Sequence, residues 1–169
     1  MNLRLFQKVL QPNMIVDSLD DITIEKLKAL GIRAICLDVD DTIMASNRPE
    51  IEGHCLAWIA EAKKEFRMLL LSNGSRARVN QCAERLDMLA FPLVGKPLPF
   101  AFHRGLRALA SCPEETAVIG DQVFTDVLGA NLVGAYSVWV HPLSPGRRHT
   151  RCLRRVEAWI IQATHQSLK

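Results

Sequence analysis

The sequence predicts an α/β fold: a single-domain, Rossmann-like, three-layer arrangement with a parallel sheet and no cap domain. Three observations carry this. Short apolar runs alternate along the chain with segments of helical period, the pattern of a parallel sheet covered by helices. The chain has 169 residues, 49% of them hydrophobic, enough for one core and little more. The apolar runs ending at Asp38 and Ser72 lie 34 positions apart, and Lys96 follows 24 positions after Ser72. Each interval holds one crossover helix and leaves no room for a cap.

Leu3, Phe6 and Leu10 recur at helical spacing beside Arg4 and Lys8, so residues 1–12 read as an amphipathic arm, packed on its own domain or laid in a lipid interface. Pro12 ends it. After an extended piece, Asp20 and Asp21 open a helix with Ile24, Leu27 and Leu30 facing inward, stopped by Gly31. Strand one is Arg33 to Asp38, inside the run ICLDVDDTIM from Ile35 to Met44. It is apolar on both faces and too short to cross a membrane. A polar stretch, Ala45 to Gly53, leads into a helix with Leu56, Ile59, Ala60 and Lys63. The apolar run MLLLSNGS then ends at Ser72 to Ser75, followed by a helix from Arg76 to Leu86 and a short strand around Leu89 to Val94. Phe100 to Ala110 reads as helix, Thr116 to Ile119 as the fourth strand, Asp126 as the start of another helix, and Ala135 to Val140 as the fifth strand. Residues 147–169 read as a basic C-terminal helix.

Five scattered cysteines with no CxxC argue against a disulfide framework or a zinc site and for reduced thiols in a cytoplasmic protein. Arg4 and Lys8 interrupt the N-terminal apolar stretch before a signal-peptide core can form. The longest uncharged stretch, Val127 to Gly146, is broken by Gly129, Gly134, Pro142 and Pro145 and does not read as a membrane span. A formal net charge of +3 leaves attraction to phosphate or membrane to local clusters.

The chemistry lies at the strand ends, since ligands of such sheets bind beyond the carboxyl ends of the strands. Four consecutive strands release Asp38 and Asp40, then Ser72 and Asn73, then Lys96, then Asp121 and Asp126. Singly, each has an ordinary reading as a helix cap, a loop lysine, a solvated turn or a helix-dipole partner. Together they make a coherent phosphoryl-transfer site. Asp38 is placed to attack phosphorus as a carboxylate nucleophile. Asp40 can protonate the leaving oxygen and then deprotonate water. A Mg²⁺ on Asp38, the Asp40 carbonyl and Asp121 would relieve the carboxylate repulsion. Ser72 and the amides around Asn73 and Gly74 would hold phosphoryl oxygens, and Lys96 would offset developing charge. Asp126 orients Lys96 or metal-bound water, and Thr42 fixes the loop. Asp41 has no role that this mechanism requires.

These residues resemble the four motifs of the haloacid dehalogenase (HAD) superfamily of phosphatases: DVDDT at Asp38–Thr42, the Ser72 strand end, Lys96, and GDQVFTD at Gly120–Asp126. The arm, the GIRAICLDVDDTI block and GDQVFTDVLGAN look more narrowly like the class IIIA, YqeG-like branch, up to about Pro142. That branch commonly carries Asn where this chain has Asp41. It is similar to mitochondrial phosphatases acting on phosphatidylglycerophosphate, which implies a Mg²⁺-dependent phosphomonoesterase with an anionic lipid headgroup as its phosphorylated substrate. An uncapped site also suits a large substrate. Arg147, Arg148, Arg151, Arg154 and Arg155 cluster in nine positions, and at about 1 kcal/mol each would give at most about 5 kcal/mol of peripheral attachment to an anionic membrane. The alternatives are a solvated helix packed on the core, a phosphatase of a soluble metabolite or nucleic-acid end, and a receiver-like signalling module. No specific nucleic acid is expected, and the oligomeric state is open.

Overall fold

The computed structural model describes residues 8–145 and 151–167. The first seven residues, with most of the amphipathic arm, and residues 146–150, with Arg147 and Arg148, lie outside the described part.

Six strands form one parallel sheet in the order β1-β6-β5-β2-β3-β4. They are β1 (Met14–Val16), β2 (Ala34–Leu37), β3 (Arg67–Leu71), β4 (Leu89–Phe91), β5 (Thr116–Gly120) and β6 (Tyr136–Val140). The helices are α1 (Ile24–Ala29), α2 (Gly53–Glu65), α3 (Arg76–Leu86), α4 (Pro99–Ala108), α5 (Leu128–Val133) and α6 (Arg151–Ser167). One helix joins β2 to β3 and one joins β3 to β4, so no cap domain is inserted there.

Alternation along β2 explains the three layers. Ile35 and Leu37 point to one face and pack with Leu27, Ile59 and Leu70. Ala34 and Cys36 point to the other and pack with Leu69, Phe102 and Ala130. On that second face α4 and α5 approach closely, because a Cβ on Gly129 would lie 2.1 Å from the Phe102 ring. The fully buried Phe102 side chain contributes about 2–3 kcal/mol. Cys36, Cys55 and Cys82 are buried free thiols, and burial pushes Cys36 up to about 12. Cys112 is exposed.

The structure departs from the sequence reading at the N-terminal side. The extended piece after Pro12 is a sixth strand, β1, pairing with β6. Three residues carry no periodic signal, and the pairing is set from outside: the Asn13 carboxamide oxygen accepts from the Ser137 amide at 2.8 Å and its hydroxyl at 2.9 Å. The helix expected from Asp20 begins at Ile24, where the Thr23 hydroxyl accepts from the Lys26 amide at 3.3 Å. Leu19–Asp21 is a separate 3₁₀ turn.

Candidate active site

The site lies at the carboxyl ends of β2 and β5, the two central strands. Asp38 follows β2 directly and Asp121 follows β5. Both are buried. A single π-helical turn over Val123–Val127, closed by Val127 N donating to the Gln122 carbonyl, carries Asp126 back over the end of β5. Gly120 makes room for it, since a Cβ there would lie 2.3 Å from the Asp126 carboxyl carbon. Oxygens of Asp38, Asp121 and Asp126 come within 4.8 Å of one another.

Lys96 reaches this group from the loop after β4. Its Nζ donates to Asp38 Oδ1 at 2.6 Å, Asp126 Oδ1 at 2.5 Å and the Leu71 carbonyl at 2.7 Å. Burial alone would lower the ammonium's pKa. The flanking Asp126 and Asp38 charges outweigh it, so the pKa stands above the ordinary lysine value. The lysine is held from behind by Asn73, whose Oδ1 accepts from the Gly95 and Lys96 amides at 3.0 and 2.9 Å and whose Nδ2 donates to the Lys96 carbonyl at 3.0 Å. The Asn73 side chain is thereby committed to the lysine loop.

Ser72 is buried at the end of β3, and its hydroxyl oxygen accepts from Gly74 N at 3.0 Å, leaving its proton to donate. A Cβ on Gly74 would lie 2.6 Å from Asp40 Oδ2, so only glycine admits the Asp40 carboxylate at this distance. Asp40 is turned away from the buried trio. Its Oδ1 accepts from Arg78 Nε at 2.5 Å, and the same guanidinium donates to the Ala45 and Arg48 carbonyls. Thr42 sits between Asp38 Oδ2 and Asp121 Oδ1, at 3.4 and 3.5 Å.

Two arginines join the site that motif spacing did not indicate. One is Arg78. The other is Arg154, whose Nη2 donates to Asp121 Oδ2 and Asp41 Oδ2, each at 2.7 Å. No step of the mechanism read from the sequence requires Asp41, and the structure gives it a structural place. It takes a left-handed backbone, φ 59°, and also accepts from Ser46 N and Ser144 Oγ, so it ties the loop after β2 to the segment after β6 and to α6. In the sequence Arg154 looked like one of five surface arginines. In the folded chain it faces inward, beside Glu157, Ile161 and Thr164 on the buried side of α6.

The cleft holds about 230 Å³ and is lined by Asp38, Asp40, Ser72, Gly74, Lys96 and Arg154 among others. Its electrostatics suit a cation. Burial first, then the Lys96 contact working against it, leave Asp38 pushed up to about 6. Burial and the charges of Asp38 and Asp126 hold Asp121 well above the usual carboxylate range. Clustered buried carboxylates with raised pKa values carry repulsion that a divalent ion relieves, and an all-oxygen donor set suits a hard one.

Residues 93–142 match the HAD-hydrolase-like family model. Over 161 residues the chain is 32% identical to the probable phosphatase YqeG of Bacillus subtilis, covering 94% of each chain. Over 146 residues it is 28% identical to the mitochondrial phosphatidylglycerophosphatase GEP4 of Saccharomyces cerevisiae, covering 77% of each. The fold is similar to that of a predicted HAD-like family hydrolase from Porphyromonas gingivalis, with a TM-score of 0.56 at 14% identity over 74% of this chain and 97% of that one.

Proposed function

This chain belongs to the HAD-like hydrolases, in the YqeG-like phosphatase family, and from that premise we propose that it releases phosphate from phosphatidylglycerophosphate through an aspartyl-phosphate on Asp38. The observation that carries the chemistry is the buried Asp38 carboxylate, held on Oδ1 by Lys96 at 2.6 Å, with Thr42 Oγ1 3.4 Å from Oδ2. We take Oδ2, the oxygen that the lysine does not hold, as the attacking atom. As its bond to phosphorus forms, the ester P–O bond breaks and the leaving oxygen takes a proton from the Asp40 carboxyl. Water then attacks the acyl phosphate, its proton returning to Asp40, and Asp38 is regenerated.

Ser72 Oγ and the Asn73 amide donate to phosphoryl oxygens, the Gly74 amide instead orienting the Ser72 hydroxyl, and Lys96 offsets the charge that develops on them. Asp38 and Asp121, with the Asp40 carbonyl, would hold Mg²⁺, which supplies charge neutralisation at the phosphoryl oxygens. Asp126 stands behind them: its Oδ1 is taken by Lys96, and its Oδ2 accepts from Gln122 N at 3.2 Å and Thr125 Oγ1 at 3.3 Å.

The lipid substrate is supported by the 28% identity to GEP4 over 77% of both chains and by the uncapped cleft. We place the protein as one domain, acting from the cytoplasm at a membrane surface. No helix among the described residues is long and apolar enough to cross a membrane.

The test is a side-by-side assay of Mg²⁺-dependent phosphate release from phosphatidylglycerophosphate vesicles and from a panel of soluble sugar, amino-acid and nucleotide monophosphates. The lipid should be hydrolysed with the higher kcat/KM. A soluble monophosphate turned over faster would replace it as substrate.

A further inference from the structure

Large apolar side chains are exposed at nine described positions, and six of these lie on, or directly beside, the two elements that bring a cation into the cleft. Leu93, Leu98 and Phe100, at 58%, 54% and 60% exposure, bracket Lys96. Leu153, Val156 and Trp159 bracket Arg154 on the opposite, outward side of α6, and Trp159 is 68% exposed. The elements approach from different sides, since the Lys96 loop follows β4 at one edge of the sheet and α6 follows β6 towards the other. Such a concentration of exposed apolar area marks a contact surface.

The Lys96 loop is held rigidly at the rim. Leu93 N donates to the Gly74 carbonyl and Val94 N to the Ser72 carbonyl, while Asn73 clamps Gly95 and Lys96. Phe100 and Leu98 pack over Gly95, at 3.6 and 3.9 Å from where its Cβ would be. Leu93 itself takes a left-handed backbone, φ 51°, a conformation that glycine or asparagine adopts more cheaply than a bulky exposed leucine. The loop thus presents its apolar side chains at some cost to folding.

Charge selects the partner. Residues 89–104 contain no acidic residue, and residues 151–163 contain only Glu157, which is buried and accepts from the Phe124 amide. The exposed ionisable side chains beside the patches are Arg104, His103 and Arg155. Apolar groups on both sides of a phosphate cleft, on segments that carry basic side chains and no exposed acid of their own, complement an anionic lipid bilayer.

We propose that Leu93 and Leu98 on the Lys96 loop and Phe100 in the first turn of α4, together with Leu153, Val156 and Trp159 on α6, form an interfacial surface that seats the cleft on an anionic bilayer. This rests on the lipid reading above and deepens it: the substrate stays in the membrane and its headgroup alone enters the cleft.

The test uses the full chain with sedimentable vesicles of phosphatidylcholine alone or in equimolar mixture with phosphatidylglycerol. Wild type should partition onto the mixed vesicles. Leu98→Gln with Phe100→Gln, and separately Val156→Gln with Trp159→Gln, should each lower the partition coefficient about ten-fold. Both pairs should keep the rate on a soluble aryl phosphate, which reports an intact fold. Wild-type partitioning by either pair, or no partitioning by wild type, overturns the surface. Normal partitioning without hydrolysis of vesicle phosphatidylglycerophosphate would instead sink the substrate reading and leave the surface standing.

Discussion

Arg154 Nη2 lies 2.7 Å from Oδ2 of Asp121, so a helix near the end of the chain supplies a cation to a carboxylate at the end of a central strand. The same nitrogen is 2.7 Å from Asp41 Oδ2. The three side chains are 13%, 0% and 4% exposed. Around the cleft the carboxylates Asp38, Asp41, Asp121 and Asp126 face the cations Lys96 and Arg154. With all four ionised the excess is two negative charges, since Asp40 is matched by Arg78, and one divalent ion would balance it.

Replacing Arg154 by Met should therefore strand two buried carboxylates and destabilise the fold by about 3–5 kcal/mol. Adding Asp41→Asn to that variant removes one of the stranded charges while keeping an oxygen for Ser46 N. It should recover a substantial part of the loss. Denaturant unfolding of the single and double variants measures this, and an additive double variant would show that the pair is not coupled.

Asp38→Asn removes the charge of the oxygen proposed to attack phosphorus and leaves the side chain's shape. Turnover of an aryl phosphate should fall about 10⁴-fold or more, with circular dichroism unchanged. Retained activity would end the nucleophile assignment.

Gly74→Ala brings a methyl group to within 2.6 Å of Asp40 Oδ2 and 3.2 Å of Ser72 Oγ. The Asp40 carboxylate must move, dragging on its Arg78 contact. The expected result is a folded protein whose kcat drops about 10²-fold; a kcat equal to wild type would remove Asp40 from the acid–base role.

Cation binding should depend on pH in a fixed direction. Burial pushes Asp38 up to about 6 and Asp121 well above the ordinary range. The cation must displace the protons these groups retain. Its affinity should rise as pH increases through about 6 and weaken below it, with proton release visible by calorimetry in buffers of different ionisation heat. Equal affinity at about pH 5 and about pH 8 would mean that these carboxylates are not the ligands. With excess chelator, aryl phosphate hydrolysis should stop.

The sequence by itself determined the strand order of the chemistry. Apolar runs with both faces buried predict parallel strands, and the runs of β2, β3 and β5 stop just before a residue that reaches the cleft, because a short strand leaves the next side chain at the sheet edge. Asp38, Ser72 and Asp121 were legible for that reason, Lys96 from the motif it resembles in the loop beyond β4, and the absence of a cap from the short crossovers. Tertiary structure alone decided what closes the site. Arg154 comes from a helix more than thirty positions beyond Asp121, and nothing in its local sequence separates it from Arg155, its neighbour. Only the packing of Ile161 against Val123 and Val127 turns one arginine inward and leaves the next in solvent. Asp41 gained its role in the same way, from Ser144 and Arg154, which lie 103 and 113 positions away. Local spacing encodes the groups a strand end presents; contacts between distant helices and loops, which depend on how the layers pack, encode the charges that balance them.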